Sequence, residues 1–184
     1  MIEIKFIGRG GQGGKTAAYL AAEAAFAAGK DVQAFPEFGP EREGAPVFAF
    51  TRISESPIKI HSGVTNPDIV VIIDESLCDE LDVMAGVKKG SPVIINAPKI
   101  TPRLKKKLAG ASVHYVDASK IAMAHFGKNI PNLAMLGALA TVSDLFPLDA
   151  LEKAFKKEMG HKLKPEIIQK NFLAMEEASK AVKE

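Results

Sequence analysis

A chain of 184 residues, 47% of them apolar and with a mean hydropathy of +0.05, is long enough to bury one sizeable core, so one domain spanning 1–184 is expected. Its 24 basic and 22 acidic residues leave a formal charge of +2 and are spread along the chain, which excludes a strong field directed at nucleic acid or an anionic membrane. The single cysteine, Cys78, excludes an internal disulfide. With only four histidines, it also excludes a self-contained thiolate cluster or a zinc site of ordinary ligand count.

In chain order, Ile2 to Ile7 is a β-branched run that ends in Gly8-Arg9-Gly10-Gly11-Gln12-Gly13-Gly14, a strand entering a loop. Lys15 to Ala28 is an alanine-rich helix with Gly29 as its C-terminal cap, and Val32 to Phe35 is a second strand stopped by Pro36. Pro46 to Ile53 alternates two faces, and a return over Ile58 to Ile60 predicts an inserted β-hairpin. Asp68 to Ile73, Val93 to Ile95 and Val113 to Val116 are strands of a parallel sheet, with helices predicted over Leu77 to Ala85, Pro102 to Leu108 and Ser119 to Phe126. Beyond Asn129 the pattern is helical: Leu133 to Val142 is apolar all round, and two amphipathic segments follow, around Leu148 to Met159 and Ile168 to Val182. The expected fold is α/β: an open, mostly parallel, Rossmann-like sheet with helices on both faces, an inserted β-hairpin and a helical C-terminus. No charged leader with an apolar core opens the chain, and no apolar run approaches about 18 residues, so a cytoplasmic protein is expected.

The loop satisfies G-x-G-x-x-G directly after a strand and before a helix, a context in which backbone N–H groups and the helix dipole attract an anion. Three readings stay open on these residues. A P-loop is nearly matched, since Gly14-Lys15-Thr16 supplies its ending, but its first glycine falls on Arg9. A free-standing NAD(P)- or nucleotide-binding protein needs an acid at the end of the second strand, where Phe35-Pro36 stands. The third reading is that the glycines only make a tight turn. Lys105 to Lys107 is a solvated basic face, Cys78 a buried filler, and His61, His114 and His125 lack partners at metal-ligand spacing.

The loop, Glu37-Phe38-Gly39-Pro40-Glu41-Arg42-Glu43-Gly44-Ala45-Pro46-Val47 and Asn132-Leu133-Ala134-Met135-Leu136-Gly137 together resemble the gamma subunit of pyruvate:ferredoxin oxidoreductase and related 2-oxoacid:ferredoxin oxidoreductases, over about residues 1 to 182. Glu43 departs from the pattern, which has arginine or glycine after Arg42. The resemblance implies one subunit, inactive alone, of an enzyme that decarboxylates a 2-oxoacid, most nearly pyruvate, on thiamine diphosphate. Electrons pass through iron-sulfur clusters to ferredoxin, and the acyl group goes to coenzyme A. It also implies that thiamine diphosphate and the clusters sit on partner subunits, with no catalytic or metal-ligating residue on this chain. Gly8, Arg9, Gly10, Gly11, Gln12, Gly13, Arg42 and Asn132 are then the expected cofactor-facing residues, meeting a coenzyme A phosphate or a partner carboxylate. For Asn132 the residue type also predicts an N-cap, and for Arg42 a pairing with Glu37, Glu41 or Glu43.

Overall fold

The computed structural model describes residues 1–37 and 44–184. Six strands, β1 (Ile2–Arg9), β2 (Asp31–Pro36), β3 (Pro46–Ser54), β4 (Ile69–Ile72), β5 (Pro92–Asn96) and β6 (Ser112–Val116), form one sheet in the order β2-β3-β1-β4-β5-β6. β4, β5 and β6 extend β1 in parallel, while β3 lies antiparallel between β1 and β2. The open α/β sheet is therefore mixed, with one strand reversed. The hairpin is built from β2 and β3; Ile58 to Ile60 adds no strand. These residues cross the face of the sheet instead, because Asp31 and Gln33 side chains bond the Ile58 backbone, at 2.5 and 3.4 Å, in place of a ladder.

Seven helices complete the described chain: α1 (Gly14–Ala27), α2 (Leu77–Glu80), α3 (Pro102–Lys107), α4 (Ala118–Phe126), α5 (Asn132–Ser143), α6 (Leu148–Met159) and α7 (Pro165–Ala181). The two faces of the sheet are covered unequally. Ile4, Phe6, Ala49, Ile53, Val71 and Ile94 meet α1 and α4 to α7, whereas Ile7, Val70, Ile72, Val93 and Ile95 meet the shorter α2 and α3. Successive strand residues point to opposite faces, so the unbroken apolar run of β4 is what burial on both faces requires. The small side chains of α1 are explained by its position: it touches β1, β2 and β3 on one side and α5 and α6 on the other. Its C-terminus closes as a Schellman motif, with Lys30 N bonded to Ala25 O, Gly29 N to Phe26 O, and Gly29 at φ +82°.

α2 is shorter than the predicted Leu77 to Ala85. Leu81 turns extended, and the Asp82 carboxylate accepts from Met84 N, a local alternative to continuing the helix. Near β3, Arg52 is 1% exposed on the face opposite α1. Its guanidinium bonds Glu3 Oε1 (2.8 Å), Gln33 Oε1 (3.2 Å) and the carbonyls of Ile60, Ser62 and Gly63 (3.3, 2.7 and 3.4 Å). A single buried cation thus straps residues 60–63 across β2 and β3.

Candidate functional site at the glycine-rich loop

The loop leaves β1 at the carboxyl edge of the parallel strands, where ligands of open α/β sheets bind. Gly11 and Gly13 hold φ of +95° and +78°, a region that costs other L-residues about 1–2 kcal/mol. Gly13 carries a second demand: a Cβ there would stand 2.4 Å from Asn132 Nδ2. Asn132 itself is 6% exposed and donates from Nδ2 to Gly13 O at 3.2 Å. The expected N-cap role is not what the structure shows. α5 begins at Asn132, Pro131 occupies the cap, and the Asn132 side chain instead ties the start of α5 to the start of α1.

Around the loop, polar groups converge from the turn after β4 and from α2. Gln12 accepts from Arg9 N at 2.8 Å and donates to Asp74 Oδ2 at 2.7 Å. Arg9 reaches Asp74 at 3.3 Å, Ser76 Oγ at 2.6 Å, Glu80 at 2.5 Å and the carbonyl of Gly44 at 3.1 Å. The Gly10 and Gly44 backbones exchange further bonds with Ala45 O and Gly10 O. Arg9 and Gln12 therefore brace the loop from behind, and Arg9's charge is answered by two carboxylates. Hydrogen bonding to Glu80, opposed by burial and helped by Asp74, raises the Arg9 pKa further. Among the described residues no side chain caps the first turn of α1, so its N–H groups suit an anion. Gly8 packs on Ile73 behind the loop. Arg42 lies outside the described residues.

Burial pushes the Asp74 carboxyl upward, but hydrogen bonds from Ser76 and Gln12, with the Arg9 charge, outweigh it, and its pKa is lowered. Because the folded-state value lies below the unfolded one, Asp74 contributes stability that is present above the ordinary carboxylate range, near pH 3.9, and is lost as pH falls through its folded value. The expected outcome is a melting temperature that drops on acidification below about pH 4 in the native chain, with the Asp74→Asn variant losing part of that dependence. Parallel pH profiles of the two proteins would refute it.

Asp74, Ser76 and Glu80 were not among the residues singled out in the sequence. The available signal was Asp74 itself, an acid closing an Ile/Val strand at the edge where the glycine loop emerges. Cys78 is fully buried, with burial pushing its thiol up to about 11, and among the described residues no group of three or more His, Cys, Asp or Glu is placed to hold a metal ion.

Fold and site together define an α/β protein with a braced, glycine-rich loop at the carboxyl edge of its sheet. The family model for pyruvate ferredoxin/flavodoxin oxidoreductase matches residues 3–181, and the chain belongs to that family. It is 48% identical over 182 residues to "Pyruvate/ketoisovalerate oxidoreductases common subunit gamma" of Thermococcus kodakarensis, covering 97% of this chain and 95% of that one. It superposes with a TM-score of 0.87 and 39% identity on the crystal structure of pyruvate oxidoreductase subunit PORC from Thermotoga maritima, over 99% of this chain and 97% of that one. It shares its fold (TM-score 0.78, 19% identity) with 30% of the longer chain of 2-oxoglutarate:ferredoxin oxidoreductase from Magnetococcus marinus, solved with 2-oxoglutarate, coenzyme A and succinyl-CoA bound. These matches favour a gamma-type subunit of a multi-subunit oxidoreductase over a free-standing nucleotide-binding protein. Among the described residues, no helix is long and apolar enough to cross a membrane.

Proposed function

We propose that this chain is the gamma subunit of a 2-oxoacid:ferredoxin oxidoreductase acting on pyruvate, whose thiamine diphosphate and iron-sulfur clusters are held by partner subunits. Within it, 1–184 acts as one domain that presents the Gly8 to Gly13 loop to the shared active site. The observation that carries the loop assignment is the uncapped N-terminus of α1 behind two glycines of left-handed φ, all braced by Arg9, Gln12 and Asp74. A phosphate of coenzyme A fits such a set of N–H groups, and coenzyme A, when bound, takes up the acyl group. This chain's part is to bind and orient. Gly11, Gly13 and Gly14 let backbone donors approach the phosphate, Gln12 and Arg9 hold the loop in one conformation, and Asn132 fixes Gly13.

The test is reconstitution. The purified chain alone is expected to show no pyruvate-dependent reduction of ferredoxin, and activity is expected to appear once thiamine-binding and cluster-binding subunits are added. Turnover by the chain alone would refute the assignment. Among the described residues of this chain a Cβ at Gly11 meets no atom within 4 Å, so Gly11→Ala is opposed within the chain by its φ of +95°. That strain, about 1–2 kcal/mol, is expected to raise the KM for coenzyme A by about tenfold with kcat little changed. An unchanged KM for coenzyme A would remove the loop from the coenzyme site while leaving the subunit assignment standing.

A further inference from the structure

The face of the sheet away from α1 is covered by α2 and α3 only under β1, β4, β5 and β6. Over β2 and β3, among the described residues, no helix covers it and only the strap held by Arg52 crosses it. There a groove of about 810 Å³ runs between β2 and the strap that Arg52 holds, lined by Phe35, Pro36, Phe50, His61, Val64 and Thr65 among others. Its floor is aromatic, with Phe35 and Phe50 at 5.5 Å between ring centroids and the Arg52 guanidinium 5.2 Å from the Phe35 ring. Arg52, answered by Glu3 and four further acceptors, fixes the groove wall without offering a charge to an occupant.

Among the described residues β2 is also an edge strand, and its register says which backbone groups face outward. Glu37 N bonds Phe48 O, and the pairs Phe35↔Phe50, Gln33↔Arg52 and Asp31↔Ser54 follow at intervals of two. In an antiparallel ladder those residues direct N–H and C=O toward β3, so Val32, Ala34 and Pro36 direct theirs away from the sheet. Pro36 stands at an outward position, where its missing N–H costs the β2–β3 ladder nothing and removes a donor from the outer edge. The outer edge therefore offers N–H and C=O at Val32 and Ala34 and closes at Pro36. A strand laid on that edge would send alternate side chains to the face on which the aromatic groove opens.

Resting on the subunit assignment above, we propose that the β2 edge and the adjoining groove receive an extended segment of a partner subunit, which pairs with Val32 and Ala34 and seats an apolar side chain on Phe35 and Phe50. Backbone pairing supplies the affinity and the aromatic floor the selectivity, the division of labour of β-strand addition. A free apolar ligand would use the groove and leave the edge amides untouched; a strand uses both.

The native cysteine makes the test clean, since Cys78 is fully buried and its thiol is pushed up to about 11. A His61→Cys chain is labelled with a photoactivatable crosslinker and assembled with the purified partner subunits, and amide exchange is followed over 31–37 in the free chain and in the complex. Expected are a crosslink to one segment of a partner subunit and exchange at Val32 and Ala34 slowed about tenfold or more by assembly. Phe35→Ser, at a half-buried position on the edge strand, is expected to weaken assembly while the free chain keeps its circular dichroism. An active complex with no crosslink, with crosslinks only between copies of this chain, or with unchanged exchange at Val32 and Ala34 overturns the docking proposal and leaves the subunit assignment intact. Failure of any complex to form overturns the assignment itself.

Discussion

Alanine at Gly137 is expected to destabilise the chain by about 3 kcal/mol or more, a fall in melting temperature of about 6–12 °C for a protein of this size. Helix propensity alone argues the other way, since alanine in a helix interior is favoured over glycine by about 1 kcal/mol. Geometry decides. α5 is buried along most of its length against α7, and a Cβ at Gly137 would lie 2.1 Å from the carbonyl oxygen and 2.8 Å from the carbonyl carbon of Met175. Both are backbone atoms of α7, so no rotamer change relieves them and one helix must move off the other. Gly63→Ala is the control: a Cβ there meets nothing within 4 Å, and a change within about 0.5 kcal/mol is expected. Thermal unfolding of the two variants separates the outcomes. A Gly137→Ala chain as stable as the native one would show that α5 and α7 are not packed as described.

Removing Arg52 has the second large effect. Arg52→Ala is expected to cost about 3–5 kcal/mol in urea unfolding, the range for breaking a buried ion pair from one side. Glu3 keeps 18% of its side-chain surface in water, which places the loss toward the lower end. The rest comes from the carbonyls of Ile60, Ser62 and Gly63, each left without its donor. Adding Glu3→Gln to Arg52→Ala is expected to recover part of the loss, because it removes the stranded carboxylate, and residues 57–66 are expected to become the first site of proteolysis in the single variant. Arg52→Lys does not rescue, since a single ammonium cannot span acceptors from three segments of chain. A stability change under about 1 kcal/mol would show that the strap is held by something other than Arg52.

These two predictions rest on residues that the sequence shows to very different degrees. The β-branched runs of β1, β4, β5 and β6, the glycine at the end of α1 and the periodicities of α6 and α7 were legible, because local propensity and burial agree there. The position of β3 was not. Alternation says that Pro46 to Ile53 has two faces but not that it slots between β1 and β2, since the choice of strand neighbour is a tertiary matter. Ile58 to Ile60 has strand composition yet crosses the sheet, because Asp31, Gln33 and Arg52 capture its backbone first. At the loop, the glycines were legible as a turn, while the bracing residues Asp74, Ser76 and Glu80 were not, coming from the turn after β4 and from α2, more than 60 positions away. Arg52 carried a faint signal, a charge on a strand flanked by Thr51 and Ile53, and the spacing of Asn132 and Gly137 carried a clear pattern whose cause appeared only in their contacts with Gly13 and Met175.

Those two contacts differ in what selection can do with them. Gly13 is pressed by the end of a side chain, so a shorter residue at 132 would vacate part of the volume that a new methyl group at 13 requires, leaving only the strain of its φ. Gly137 is pressed by main chain, which every residue at 175 carries alike. In a genetic screen, second-site revertants of a Gly13 lesion should therefore cluster at Asn132, whereas those of a Gly137 lesion should be true revertants of the same codon.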